Sequence, residues 1–330
     1  MADNRRRIHV LALGGTIAMT GGSDAGGASP TLDADILVEA VPEAARWARI
    51  EAETFLKAPG AQLRLTDLVR LSSRIKELLG QGAEGVVVTQ GTDTIEETAM
   101  ALDLLSDAHQ PIVVTGAMRN PAQAGADGPA NLRNAVLVAA GDRAPGLGVL
   151  VTMNDEIHAA RFVRKTHASR PSAFTSALPL GWIAEDRVRI PVQPSARVHV
   201  ALPPTSEPAP VALVSVALGD DGRMLRLLAE QGYQGAVVAG FGVGHVPEWQ
   251  VTELAKLGRR MPVVIGSRTG EGEGFRHTYG FDGSERDLLR RGLISAGALD
   301  PLKARVLLSL ALGAGWPSAR IAEALDTLSG

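Results

Sequence analysis

The 330-residue chain contains no cysteine. Disulfides, a thiol nucleophile and a cysteine-based zinc site are therefore excluded. Aromatic residues make up only 4% of it, so its core must be built from Ala, Val, Leu and Ile. No apolar run approaches the roughly 18 residues needed to cross a bilayer, and no membrane partner is expected. Basic charge is not in excess: 33 Lys and Arg stand against 36 Asp and Glu, a net charge of -3. That argues against nucleic acid as the main partner, because phosphate binding usually shows as a basic domain. What is present is 45% hydrophobic and 21% charged residues, the balance of a globular chain. The length suits about two domains.

Near the amino terminus Arg5, Arg6 and Arg7 precede an apolar stretch, a faint imitation of a secretory leader. Gly14, Gly15 and Thr16 break the stretch, leaving only 8–13 as a solid apolar block. That block reads as a buried first strand, and the protein is expected in the cytoplasm.

Short β-branched runs alternate with longer helical stretches. Residues 8–13, 85–90, 111–118 and 148–153 read as buried strands, continuous in their hydrophobicity as parallel strands covered on both faces should be. Between them, 65–81, 94–108 and 128–141 carry apolar residues at three and four spacing, the last after a helix-starting Pro129. Residues 201–210 hold Pro203, Pro204, Pro208 and Pro210 without apolar period, the composition of a semi-rigid linker. The alternation then restarts: strands over 211–219, 235–242 and 262–268, helices over 223–232 and 251–258, and a final helix pair over 284–293 and 300–313. The expected fold class is α/β with two α/β domains. The larger, residues 1–200, has a mainly parallel sheet flanked by helices. The smaller, 211–330, follows the linker 201–210 and has a parallel sheet of its own.

In open α/β sheets, ligands bind outside the carboxyl ends of the strands. Four such ends carry small polar clusters: 14–18, 89–94, 115–119 and 152–156. Thr16 sits on a loop loosened by Gly21, Gly22, Gly26 and Gly27, suited to a mobile lid, although a threonine there also caps turns. Asp93 with Glu96 has capping-box spacing for the next helix. A helix amino terminus is also an anion site, where a substrate carboxylate can dock while Asp93 takes an ammonium group. Lys165 reads as a surface lysine or, with Arg161, Arg164 and Arg170 around it, as a base for a threonine hydroxyl. None of the seven histidines has a clear triad setting, and His158 and His167 read as structural. Metal-ligand spacing such as HExxH is missing, and so are the nucleotide fingerprints GxGxxG and GxxxxGK[ST]. No metal and no cofactor are expected.

The segments GGTIA (14–18), TQGTDTIEETA (89–99) and TGAMRNPAQAGADGPANLRNAV (115–136) resemble the bacterial-type L-asparaginase family, which includes glutaminase-asparaginases. Their order and spacing match across residues 8–190, and GALDPLKARVLLSLAL (297–312) extends the resemblance into the carboxyl half. The resemblance implies an amidohydrolase that turns L-asparagine into L-aspartate and ammonia through a threonine acyl-enzyme. It assigns Thr16 as primary nucleophile and Thr92, Asp93 and Lys165 as a second threonine, its aspartate and the lysine completing a proton relay. Which threonine attacks first stays open. Asp93 would also hold the substrate ammonium, Gly91 would contact substrate, and the backbone N–H groups of Thr92 and Ala117 would face the oxyanion. The family's homotetramers, built from tight dimers, imply a homotetramer or a dimer of intimate dimers. Each site would then lie between one subunit's first domain and its partner's second.

The chain departs from the family pattern in three places. Its only tyrosines are Tyr233 and Tyr279, so the loop after Thr16 lacks the usual tyrosine; Tyr279 or Thr31 would have to reach in, or Thr16 be activated another way. In the carboxylate-binding turn Gly60 stands where serine would be, leaving Gln62 as the polar contact. Glu271 or Glu273 would be the partner-subunit acid, and His245 stands where asparagine is common. Two alternatives remain on the sequence alone: a non-catalytic amino-acid-binding protein of the same fold, and the ammonia-releasing subunit of an amidotransferase. The latter is expected to carry an additional amino-terminal domain, for which the dozen residues before GGTIA leave no room.

Overall fold

The computed structural model describes residues 5–20, 27–191, 193, 197–203 and 207–329. The chain divides into two compact units, Met1–Arg197 and Val198–Gly330.

The first unit is organised on an eight-stranded sheet. From one edge its order is Arg187–Arg189, Gly181–Ala184, Glu156–Ala159, Val149–Met153, Ile112–Thr115, Gly85–Thr89, Arg6–Gly14 and Ala48–Ala58. The last five of these run parallel, and the three at the opposite edge join by antiparallel pairing. The sheet is therefore mixed, with the parallel strands at its centre as the apolar runs predict. Ile8, Val10, Val87, Val113 and Leu150 bury one face against Leu132, Ala135 and Val136 of helix Gly128–Ala139. By the two-residue strand period, Leu11, Val88, Val114 and Val151 turn to the other face, and they are equally inaccessible. Each such side chain contributes about 1.5–3 kcal/mol relative to exposure.

Strand Ala48–Ala58 escapes the sequence reading for a physical reason. It is an edge strand, mostly half-buried, and rich in Ala, Glu and Lys, which have weak strand preference. The hairpin Gly181–Ala184 to Arg187–Arg189 turns at Glu185, which takes a φ of 55°.

The second unit holds a four-stranded parallel sheet in the order Val211–Ser215, Gly235–Gly240, Val263–Ser267, Ile294–Ser295. Val238 and Ile265 pack in one core with Leu254 of helix Glu248–Gly258 and Leu288 of helix Glu285–Arg290. Helix Pro301–Gly313 follows as expected, and a further helix, Ser318–Ser329, closes the chain. Described residues between 201 and 210 form no helix or strand; Ala209 N–H donates to Ser309 O at 2.9 Å, tying the segment to helix Pro301–Gly313. Among the described residues no helix is long and apolar enough to cross a membrane.

Candidate active site

Three glycines bring the strand-end loops of the first unit together. Gly15 follows strand Arg6–Gly14 with a φ of 77°, a backbone region that suits glycine. A Cβ there would lie 2.0 Å from Gly91 N, and one on Gly91 would lie 2.6 Å from Gly60 N. Gly15, Gly91 and Gly60 thus pack backbone to backbone, and no larger residue fits at the junction. Immediately beyond them stand Thr16, Thr92 and the short 3-10 turn Gly60–Gln62. Gly116 completes the group, because a Cβ on it would lie 2.5 Å from Gln90 O and 3.3 Å from Thr92 Cγ2. Ala117, next along, is fully buried.

Thr92 is buried and Thr16 half-buried. Lys165 arrives from a separate two-residue strand, Arg164–Lys165, paired antiparallel with Phe174–Thr175. Its Nζ donates to Thr92 Oγ1 at 2.9 Å and to Asp93 Oδ1 at 2.7 Å. The lysine side chain is 13% exposed and the Asp93 side chain 65% exposed. A shielded ammonium therefore joins a buried hydroxyl to a carboxylate that faces outward, free to receive a cationic group from solution. The capping role open to Asp93 is not the one it takes: helix Ile95–Leu105 has Thr94 as its N-cap with no side-chain cap bond.

The other sequence candidates divide by unit. Gly60 is buried and Gln62 is exposed on its turn. His245, Glu271 and Glu273 belong to the second unit. Glu271 and Glu273 are exposed. His245 instead places Nε2 3.1 Å from Glu285 Oε2, a carboxylate that no motif singled out. The Glu285 side chain is only 3% exposed. Burial works against its charge, but hydrogen bonds from the N–H groups of Tyr279 and Thr278 and from His245 outweigh it, and the carboxyl is held below its ordinary range. The His245 ring is edge-on to both Tyr279 and Phe281, with centroids 5.0 Å apart in each case. Ser284 caps that helix, its hydroxyl oxygen accepting from Asp287 N–H, and no motif in the sequence signals that Glu285 is buried.

Other expectations resolve into structural uses. Cluster 152–156 is a tight turn between antiparallel strands, with φ of 50° at Asn154 and 65° at Asp155. Asn154 N–H donates to Asn131 Oδ1, and Asn134 Nδ2 donates to Asp155 Oδ1, both on helix Gly128–Ala139. His158 Nδ1 meets Ser176 Oγ at 2.9 Å. His167 Nδ1 accepts from Ser169 N–H and Arg170 N–H. Arg161 lies over the Phe162 ring, Arg164 shares the Lys165 strand, and Arg170 donates to Ser172 O. The Thr31 hydroxyl pairs with that of Thr20 at the base of the loop. Gly21, Gly22 and Gly26 of the expected lid lie outside the described residues, as does Pro204 of the expected linker. Among the described residues no group of three or more His, Asp and Glu is placed to hold a metal ion.

The arrangement offers two threonine hydroxyls at neighbouring strand ends, one bound to a lysine ammonium, with a carboxylate beside it. Groups of this kind can support acyl transfer to a hydroxyl. Residues 7–196 match the family described as "Asparaginase, N-terminal", and residues 210–325 the "Glutaminase/Asparaginase C-terminal domain". A probable periplasmic L-asparaginase of Haemophilus influenzae is 37% identical over 314 residues, covering 92% of this chain and 88% of that protein. A glutaminase-asparaginase of Pseudomonas fluorescens is 33% identical over 314 residues, covering 92% and 86%. The crystal structure of a probable cytoplasmic L-asparaginase from Campylobacter jejuni superposes with a TM-score of 0.89 at 34% identity, covering 98% of this chain and all of that one.

Proposed function

This chain belongs to the asparaginase family, and on that premise we propose that it hydrolyses the side-chain amide of L-asparagine to L-aspartate and ammonia. The observation that carries the reading is Lys165 Nζ bridging Thr92 Oγ1 and Asp93 Oδ1. Asp93 receives the substrate ammonium, and the Gly60–Gln62 turn, with Gly91, receives its carboxylate end. The Thr16 hydroxyl attacks the amide carbon. A C–O bond forms, the C–N bond breaks, and the hydroxyl proton leaves with nitrogen as ammonia. Thr92, Asp93 and Lys165 relay protons in both halves of the reaction. Water then attacks the threonine ester, its oxygen joins the carbonyl carbon, and a proton returns to Thr16. The N–H groups of Thr92 and Ala117 stabilise the oxyanion, a contribution of roughly 3 kcal/mol per donor in other hydrolases.

Asparagine is the main substrate; glutamine, one methylene longer, is discriminated by only about 1–3 kcal/mol in such a pocket. The protein works in the cytoplasm as a homotetramer or a dimer of intimate dimers, in which His245 and an acid of the second unit complete a partner's site. Glu285, the buried carboxylate on His245, fits that acid better than exposed Glu271 or Glu273. The test is ammonia release from L-Asn, L-Gln and D-Asn measured side by side. Release from L-Asn supports the reading. Tight binding of asparagine in calorimetry with no ammonia from any of the three refutes it in favour of an amino-acid sensor.

A further inference from the structure

Thr94 stands at the N-cap of helix Ile95–Leu105, where a threonine hydroxyl usually accepts a backbone N–H of the first turn. Here it makes no such bond. Its Oγ1 instead donates to Gly60 O at 3.1 Å, across 34 positions of sequence. The same oxygen receives Gln90 Nε2 at 3.3 Å, and that amide also reaches Gly91 O at 3.2 Å. Gln90 is fully buried, so the chain from Gln90 to Thr94 to Gly60 starts from a fixed point. A hydroxyl has one proton to donate, and Thr94 gives it to the neighbouring loop.

That bond joins two loops with different work. The turn Gly60–Gln62 takes the carboxylate end of the substrate, and Thr92–Asp93 takes its reactive and ammonium ends. Gly60 and Gly91 already touch through their backbones, but a contact of two glycines sets a spacing and not an orientation. A directional hydrogen bond supplies the orientation. The geometry points to Thr94 as a positioning residue that fixes the Gly60–Gln62 turn relative to Asp93, and so sets substrate affinity without entering the chemical step. Lys165 contacts Thr92 and Asp93 and not Thr94, so the relay is intact when the Thr94 hydroxyl is removed.

The inference rests on the asparaginase reading, and one experiment separates the two. Ammonia release from L-asparagine is measured for the wild type, Thr94→Val and Thr94→Ser, with thermal unfolding of each as a control. Val keeps the shape and loses the hydroxyl; Ser keeps the hydroxyl and loses the methyl. Thr94→Val is expected to raise KM about tenfold, the scale of one lost hydrogen bond, with kcat within about twofold of wild type. Thr94→Ser is expected to restore KM. An unaltered KM in Thr94→Val, or a KM raised as much in Thr94→Ser, overturns the inference while leaving the asparaginase reading in place. If Thr94→Val does not fold, Thr94→Ala takes its place: a KM raised about tenfold with kcat near wild type supports the assignment, and a wild-type KM ends it. A wild type that releases no ammonia removes both readings together.

Discussion

Lys165 Nζ lies 2.9 Å from Thr92 Oγ1 although 73 positions separate the two residues in the chain. The lysine comes from a two-stranded hairpin outside the main sheet, and the threonine from the carboxyl end of a central strand. The ammonium also holds Asp93, so removing it breaks two contacts at once. Lys165→Met is expected to lower kcat on the order of a thousandfold, within the range for a lost proton-transfer group. Lys165→Arg should not restore it, because a guanidinium stays charged and cannot take a proton. Steady-state ammonia release on folded variants checks both.

The glycine junction makes a stability prediction. Gly15→Ala places a Cβ on the Gly91 backbone and forces alanine to a φ of 77°. Overpacking and backbone strain together should cost about 3 kcal/mol or more. Urea unfolding of Gly15→Ala against wild type measures it, and activity should fall in parallel because Thr16 and Thr92 flank the junction.

Acid should act on the second unit through Glu285. Its carboxyl is held below the ordinary value in the folded chain. The unfolded chain therefore binds more protons as pH drops, and the stabilisation from this group, fully present above its unfolded pKa, is lost as pH falls through the folded one. Glu285→Gln keeps the side-chain oxygen that accepts from Thr278 and Tyr279 but removes the charge. The variant should be less stable than wild type near neutrality, and the gap should close as pH falls through the folded-state pKa, below the ordinary carboxylate range. Chemical unfolding across pH 7 to 3 measures the gap.

Assembly is the fourth expectation. If His245 and Glu285 complete a partner's site, sedimentation should show a dimer or tetramer at assay concentrations. Activity per subunit should fall on dilution into monomer. A monomer with full specific activity contradicts that arrangement.

The parallel centre of the first sheet is legible in the sequence because strands buried on both faces are apolar without interruption. Edge strand Ala48–Ala58 is not, because partial exposure admits Glu, Lys and Arg into it. The terminal helix Ser318–Ser329 lies beyond the last helix pair read from the sequence, although its apolar stripe, Ile321, Ala324, Leu325 and Leu328, is buried. The catalytic candidates at strand ends are readable from motif and position. The hydrogen bonds that orient them are not: the choice of Thr94 to bond Gly60 rather than its own helix depends on where a distant loop lands. Glu285 is hidden for a related reason, since nothing local in the sequence reports its burial against His245.

The central claim, acyl transfer to Thr16 assisted by the Thr92, Asp93 and Lys165 group, is tested most directly by catching the intermediate. Thr92→Val is mixed with L-asparagine, quenched in acid, digested and mapped by mass spectrometry. The expected result is an aspartyl ester on the peptide containing Thr16, absent from Thr16→Ala. An adduct on any other residue, or continued ammonia release by Thr16→Ala at the wild-type rate, contradicts it.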